Sequence, residues 1–333
     1  MTTKQQAKGH LNSTNDRFII IDPIFPRLLP RGLTRPLRSV IAMERAARHE
    51  TKRRMDTMQR TAITKGFSLG GRLAPGLTAA VAERLFFTTR RTPPRPGERD
   101  ILQSATAMRI AGMQAWSWGE GPAVLLAHGW NGRGTQLGGF VTPLVSRGYR
   151  VVAFDAFGHG RSPGKRLSLP ELADCIRQIA DELGEVYGIV AHSLGGAATT
   201  FALSKGLQVQ RAVFISPPAD PRLFLQTFGA VLGIPDDVQA LVKQRVERRL
   251  AIPMESMLAT EIARSMRTPV LIIHDRNDKE VPVEVGQSIA DAWPGAELRL
   301  TEGLGHQRIL RAEAVIDAAV RFLNEANRWK NAA

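Results

Sequence analysis

The sequence predicts an α/β fold: a mostly parallel, eight-stranded sheet flanked by helices, with a small helical cap insertion. Three observations carry this expectation. Beyond Thr92-Pro-Pro-Arg-Pro-Gly97, short apolar runs alternate with longer helix-like stretches, the rhythm of strands joined by crossover helices. Runs such as Ala123 to Ala127 and Val270 to His274 are apolar at nearly every position, as strands buried on both faces are. The chain of 333 residues is 43% hydrophobic, enough to bury a full core.

The elements follow in order. Phe18-Ile-Ile-Ile21 precedes Pro23, Pro26 and Pro30 and suits an extended apolar arm, because proline removes donors and fixes the backbone. From about Leu37 to Thr64 the chain has no Gly or Pro and is rich in Ala, Arg, Met and Glu, which predicts a long helix; Leu77 to Phe87 predicts a second. The proline-rich stretch ending at Gly97 marks an edge, so residues 1–100 are read as a basic, mainly helical extension and 101–330 as the main domain. There, Ala105 to Ser117 reads as a hairpin, Ala123 to Ala127 as a buried strand, Gln136 to Arg147 as a helix, and Arg150 to Phe154 as a strand. Pro170 to Leu183 is a helix, Val186 to Ala191 a strand, and Ala197 to Ser204 a helix. Arg211 to Ile215, Val270 to His274 and Glu297 to Leu300 complete the strands, and Glu313 to Ala326 is the last helix. The irregular helical stretch over about 218–268 is the expected cap.

Charge is unevenly placed. Residues 1–100 hold 20 Lys and Arg against 8 Asp and Glu, whereas the remainder holds 25 against 23, so the net +14 belongs almost wholly to the extension. The single cysteine, Cys175, excludes an intramolecular disulfide or a Cys-rich metal site and reads as a packing residue. The start lacks the apolar core of a secretory signal, which makes a cytoplasmic location the expectation.

The chemistry centres on Gly188-Ile-Val-Ala-His-Ser-Leu-Gly-Gly196. A strand-like run ends at Ser193 and an Ala-rich helical segment follows, with small residues, Ala191 and Gly195, two positions to either side. A sharp strand-to-helix turn needs small residues there and leaves the serine hydroxyl exposed at its tip. Serine chemistry on an acyl group further needs a base, a carboxylate to orient it and two oxyanion donors. Asp278 follows one strand in His274-Asp-Arg-Asn-Asp278, and His306 follows the last in Gly303-Leu-Gly-His-Gln307. Each therefore lies just past a strand end, where open parallel sheets bind ligands. The oxyanion donors would be the backbone amides of Leu194 and of Trp130, the latter in His128-Gly129-Trp130.

These motifs, together with Asp155-Ala-Phe-Gly-His-Gly-Arg-Ser162 and Val281-Pro282, resemble in order and spacing those of the α/β-hydrolase superfamily, esterase-like members in particular, over about residues 105–326. The resemblance implies the fold and a serine hydrolase that cleaves carboxylic esters or thioesters through an acyl-enzyme at Ser193. His306 would be the base and Asp278 its partner, with no metal and no organic cofactor. The substrate would be a small-molecule acyl ester or thioester. Acyl transfer, carbon–carbon bond hydrolysis and peracid formation on the same residues remain alternatives, and a non-catalytic binding role is less favoured.

Plainer readings hold elsewhere. Asp275 competes with Asp278 and reads as a carboxylate bonding its own turn. His128, Gly129, His192 and Gly195 read as supports of the elbow and oxyanion loop, and His159 as holding the loop after the Asp155 strand. Gly158-His-Gly-Arg-Ser-Pro-Gly164 lacks the register and Lys-Ser/Thr ending of a phosphate loop. In the cap, Lys243, Arg245, Arg248 and Arg249 read as a solvated face, with Phe224, Phe228, Leu232 and Val238 as candidates for an apolar entrance. No nucleic-acid partner is expected. The extension is read first as packing on the core or on a second copy, and second as a peripheral membrane contact.

Overall fold

The computed structural model describes residues 61–325. The predicted arm at 18–30 and nearly all of the predicted helix at 37–64 lie outside these residues. The sheet has eight strands: β1 (Thr106–Ile110), β2 (Met113–Trp118), β3 (Ala123–Ala127), β4 (Arg150–Phe154), β5 (Val186–His192), β6 (Arg211–Ile215), β7 (Val270–Asp275) and β8 (Glu297–Thr301). Their order is β1-β2-β4-β3-β5-β6-β7-β8. β2 pairs antiparallel with β1 and β4, and every other pairing is parallel.

Both faces of the sheet are covered, which explains the uninterrupted apolar runs. In β3, Leu125 and Ala127 join one core cluster while Val124 and Leu126 join the other, and all four are fully buried. On the first face lie α1 (Pro75–Phe86), α2 (Leu169–Leu183) and α3 (Leu194–Ser204), which contribute Ala79 and Ala82, Leu172 and Ile176, and Ala198 and Phe201. α2 begins with a capping box: Ser168 Oγ accepts from the Glu171 amide while the Glu171 carboxylate accepts from the Ser168 amide.

The predicted helix at Gln136–Arg147 is instead two short pieces, Gly134–Phe140 and Val141–Val145. Gly138 and Gly139 weaken a continuous helix here, since glycine has low helix propensity, and both pack too closely on Ile101 and Ile316 (3.2 and 3.0 Å from a Cβ) to be readily replaced. Pro143, in the first turn of the second piece, has no N–H to bond back to Gly139 O across the junction.

The insertion after β6 carries α4 (Pro221–Leu232) and α5 (Asp236–Leu250), then short turns at Met254–Met257 and Ala259–Ala263. β7 is followed by α6 (Val283–Ala292), and α7 (Glu313–Asn324) closes the second face. Val238, Val242 and Val246 of α5 are buried with Ala79 and Ala82 of α1 in one cluster. The compact unit that holds the sheet begins at Ala62. The segment from Phe87 through the proline-rich stretch lies on the fold as a strap: Leu167 donates to the Phe87 carbonyl at 2.9 Å, Thr89 to that of Lys165 at 3.0 Å, and Arg133 Nη1 to Thr92 Oγ1 at 2.7 Å. Among the described residues no helix is long and apolar enough to cross a membrane.

Candidate active site

Ser193 stands between β5 and α3 with φ 51° and ψ −125°. Such an angle in a non-glycine residue is strained, on the order of 1–3 kcal/mol, and persists only where neighbours enforce it. Here they do. The Ser193 amide donates to Ile215 O at 2.9 Å and its carbonyl accepts from Gly196 N at 2.8 Å. A Cβ on Gly195 would sit 2.6 Å from Ala127 O, so this position must be glycine. Ala191 tolerates its methyl because that group joins the core, fully buried.

The loop after β3 packs directly on this turn, since a Cβ on Gly129 would lie 2.9 Å from Ser193 Cβ. Two neutral histidines hold the loop. His128 donates from Nδ1 to Gly129 O at 2.7 Å and accepts at Nε2 from the Ala156 amide at 3.0 Å. His159 accepts at Nε2 from the Asn131 amide at 3.0 Å and donates from Nδ1 to Phe157 O. Burial pushes the pKa of His128 down to about 4 and that of His159 down to about 3. Among the described residues, the amide N–H groups of Trp130 and Leu194 have no hydrogen-bond acceptor. They are the two donors expected at an oxyanion, and Leu194 opens a helix whose N-terminus favours negative charge.

His306 Nδ1 lies 2.7 Å from Asp278 Oδ2, and both side chains are buried. Nδ1 is thereby the donor and Nε2 is left as the basic nitrogen. Asp278 Oδ1 accepts from the Glu280 and Val281 amides at 2.9 and 3.0 Å. Burial alone would raise the Asp278 carboxyl, but hydrogen bonds from His274, His306 and Val281 outweigh it and hold the group well below the usual carboxylate range. His192 donates from Nε2 to His306 O at 2.9 Å, so the residue beside the serine also holds the backbone of His306; burial lowers its pKa to about 3.

Ser193, His306, Leu194 and Trp130 open onto a cavity of about 510 Å³ with a mostly apolar lining. Its walls come from the end of α1 (Phe86), the strap that follows it (Phe87, Pro93) and the insertion (Phe224, Met254, Met257). Of the four residues considered for an apolar entrance, only Phe224 reaches it; Phe228 packs on the Phe86 ring and Val238 is core. The cap cations face elsewhere: Lys243 pairs with Glu247, Arg245 with Glu83, and Arg249 with Glu171.

Several site residues escape a reading of the sequence. His274 Nε2 donates to Val281 O at 2.9 Å and lies 3.5 Å from Asp278 Oδ2, a second imidazole on the same carboxylate. Asp275, expected to bond only its own turn, also binds the loop of His306. Arg133, next to the oxyanion loop, makes a bidentate buried pair with Glu98 and donates to Thr92, which fastens the strap over the cavity. The signal was an arginine three residues from the Trp130 motif, but its partner lay in a stretch that reads as a linker.

Sheet order, elbow and strand-end loops together define the α/β-hydrolase class of fold. A family model described as "Alpha/beta hydrolase family" matches residues 124–318, and the chain belongs to that family. It is 26% identical over 214 residues to a pyrethroid hydrolase of Sphingobium wenxiniae, a match covering 52% of this chain and 76% of that one. It is 25% identical over 242 residues to a bifunctional esterase/perhydrolase of Acinetobacter calcoaceticus, covering 57% and 87%. Among solved structures, an esterase of Pyrococcus furiosus superposes with a TM-score of 0.54 at 19% identity, covering 71% of this chain and 98% of that one, a likeness of fold.

Proposed function

We propose that the protein is a serine hydrolase that cleaves carboxylic esters or thioesters of apolar acyl groups. The observation that carries this reading is the 2.7 Å contact of His306 Nδ1 with Asp278 Oδ2 beside a strained Ser193, on a cavity with two unpaired backbone amides. His306 Nε2 takes the proton of Ser193 Oγ as the oxygen attacks the acyl carbon. The Trp130 and Leu194 amides hold the resulting oxyanion, and Asp278 keeps the imidazole oriented and stabilises its cation. The proton then passes to the leaving oxygen or sulfur. Water, deprotonated by the same nitrogen, releases the acid and restores the serine.

The test combines labelling and turnover. A fluorophosphonate probe should label Ser193 in the folded protein, and p-nitrophenyl esters should be hydrolysed. Ser193→Ala should remove both while leaving the circular dichroism spectrum unchanged. A folded wild-type protein that neither labels nor turns over ends the proposal. The relative named an esterase/perhydrolase supports one second reading, in which hydrogen peroxide replaces water as acyl acceptor. Peracid formed from an ester and peroxide would distinguish it.

A further inference from the structure

Asp275 ends β7, is fully buried and does not line the cavity. Its carboxylate accepts four hydrogen bonds. Oδ1 takes those of the Gly305 amide at 2.9 Å and the Asn277 amide at 3.0 Å; Oδ2 takes those of Thr301 Oγ1 at 2.8 Å and the Leu304 amide at 3.0 Å. Three of these donors belong to the end of β8 and to the turn that leads into His306. That turn has positive φ at both Gly303 (79°) and Gly305 (63°), positions where glycine leaves the backbone many alternatives. Asn277, itself held by Asp275, accepts at Oδ1 from the Gly303 amide at 2.8 Å. Burial would raise the Asp275 carboxyl, yet the bonds from Gly305, Thr301 and Leu304 prevail and keep it below its ordinary value, hence charged.

We propose that Asp275 is the positioning residue of His306: its buried carboxylate fixes the glycine turn so that the imidazole meets Asp278 on one side and Ser193 on the other. The proposal rests on the reading of His306 as the base. A neutral carboxamide of the same shape cannot do this, because its NH₂ group would face at least one of the four N–H and O–H donors without an acceptor between them.

The experiment compares wild type, Asp275→Asn and Thr301→Val, the last removing one donor of the four. A base displaced by about an ångström lowers reactivity by up to about 100-fold. For Asp275→Asn, kcat on p-nitrophenyl butyrate, per active site titrated with fluorophosphonate, should fall about 10- to 100-fold while KM stays within about threefold. The low-field proton resonance of His306 Nδ1–H should shift or broaden. Thr301→Val should move both readouts in the same direction by less. Unchanged kcat per titrated site, or an unchanged resonance, overturns the proposal. If Asp275→Asn does not fold, an unaltered Thr301→Val resonance does the same. The resonance needs no turnover, so a wild type inactive on esters overturns the hydrolase reading alone and leaves the role of Asp275 to be decided by the proton.

Discussion

Lowering the pH from about 7.5 to about 5 should destabilise the fold by about 6 kcal/mol, through three histidines that the structure keeps neutral. His128, His159 and His192 are 0, 0 and 2% exposed. The ordinary histidine value is 6.5, and burial lowers theirs to about 4, about 3 and about 3. For His128 and His159 the geometry gives the reason directly: each accepts a backbone N–H at Nε2, and a proton there would abolish the acceptor and leave that amide unpaired. Below pH 6.5 the unfolded chain therefore binds protons that the folded chain refuses. A depressed histidine contributes fully above its unfolded value, and the contribution erodes as pH falls toward the folded one.

Each pH unit in that window is worth about 1.36 kcal/mol per group. At about pH 5 each of the three has lost about 2 kcal/mol, and the total is comparable with the stability of a whole domain, about 5–15 kcal/mol. Asp275 and Asp278, both depressed, lose their contributions only below the ordinary carboxylate value and stay silent here, whereas Asp155, raised by burial, works in the opposite direction, so the figure of about 6 kcal/mol is that of the histidines alone. Urea unfolding followed by tryptophan fluorescence at about pH 7.5, 6 and 5, at constant ionic strength, measures the effect. The slope near pH 5 should approach three protons taken up on unfolding, about 4 kcal/mol per pH unit. A loss under about 2 kcal/mol across the range would refute the claim that these imidazoles stay neutral in the fold.

Two substitutions test the packing around the site. Gly129→Ala would place a methyl 2.9 Å from Ser193 Cβ and 3.1 Å from His192 O, displacing the loop after β3; kcat/KM on p-nitrophenyl esters should fall about 100-fold, with a destabilisation of about 1–3 kcal/mol. Glu98→Gln removes the charge opposite Arg133, a guanidinium in a residue only 5% exposed, and should destabilise by about 3–5 kcal/mol, read by calorimetry as a Tm lowered by about 6–20 °C.

The parts of the site legible in the sequence are those whose chemistry is local. A strand buried on both faces must be apolar throughout, and a polar residue proposed for the site lies within a few positions of its end, as Ser193 follows β5 and Asp278 follows β7. The elbow is local too, because the small residues it needs lie two positions away. What escaped reading is pairing across the chain. Asp275 could be seen as a turn former because Asn277 is its neighbour, but its bonds to Leu304 and Gly305 depend on β7 and β8 lying side by side, with Asp275 in register with Thr301. The same adjacency sets His306 against Asp278, so the register of one parallel pair brings His306, Asp278 and Asp275 together.

The strap escapes composition for a related physical reason. Prolines at 92–97 mark a boundary when nothing binds them, yet a stiff extended segment is also the best shape for lying along a surface, since little entropy remains to be lost when it docks. Composition cannot separate the two cases; Glu98 separates them, by burying its charge on Arg133 35 residues away. One consequence is that Phe86, Phe87 and Pro93, residues outside the span matched by the family, wall the cavity beside Ser193. Acyl selectivity should therefore respond to changes in the strap as strongly as to changes at Met254 and Met257 in the insertion. The two walls face one cavity but are fixed by different anchors, the buried ion pair for the strap and the α1–α5 valine and alanine packing for the insertion.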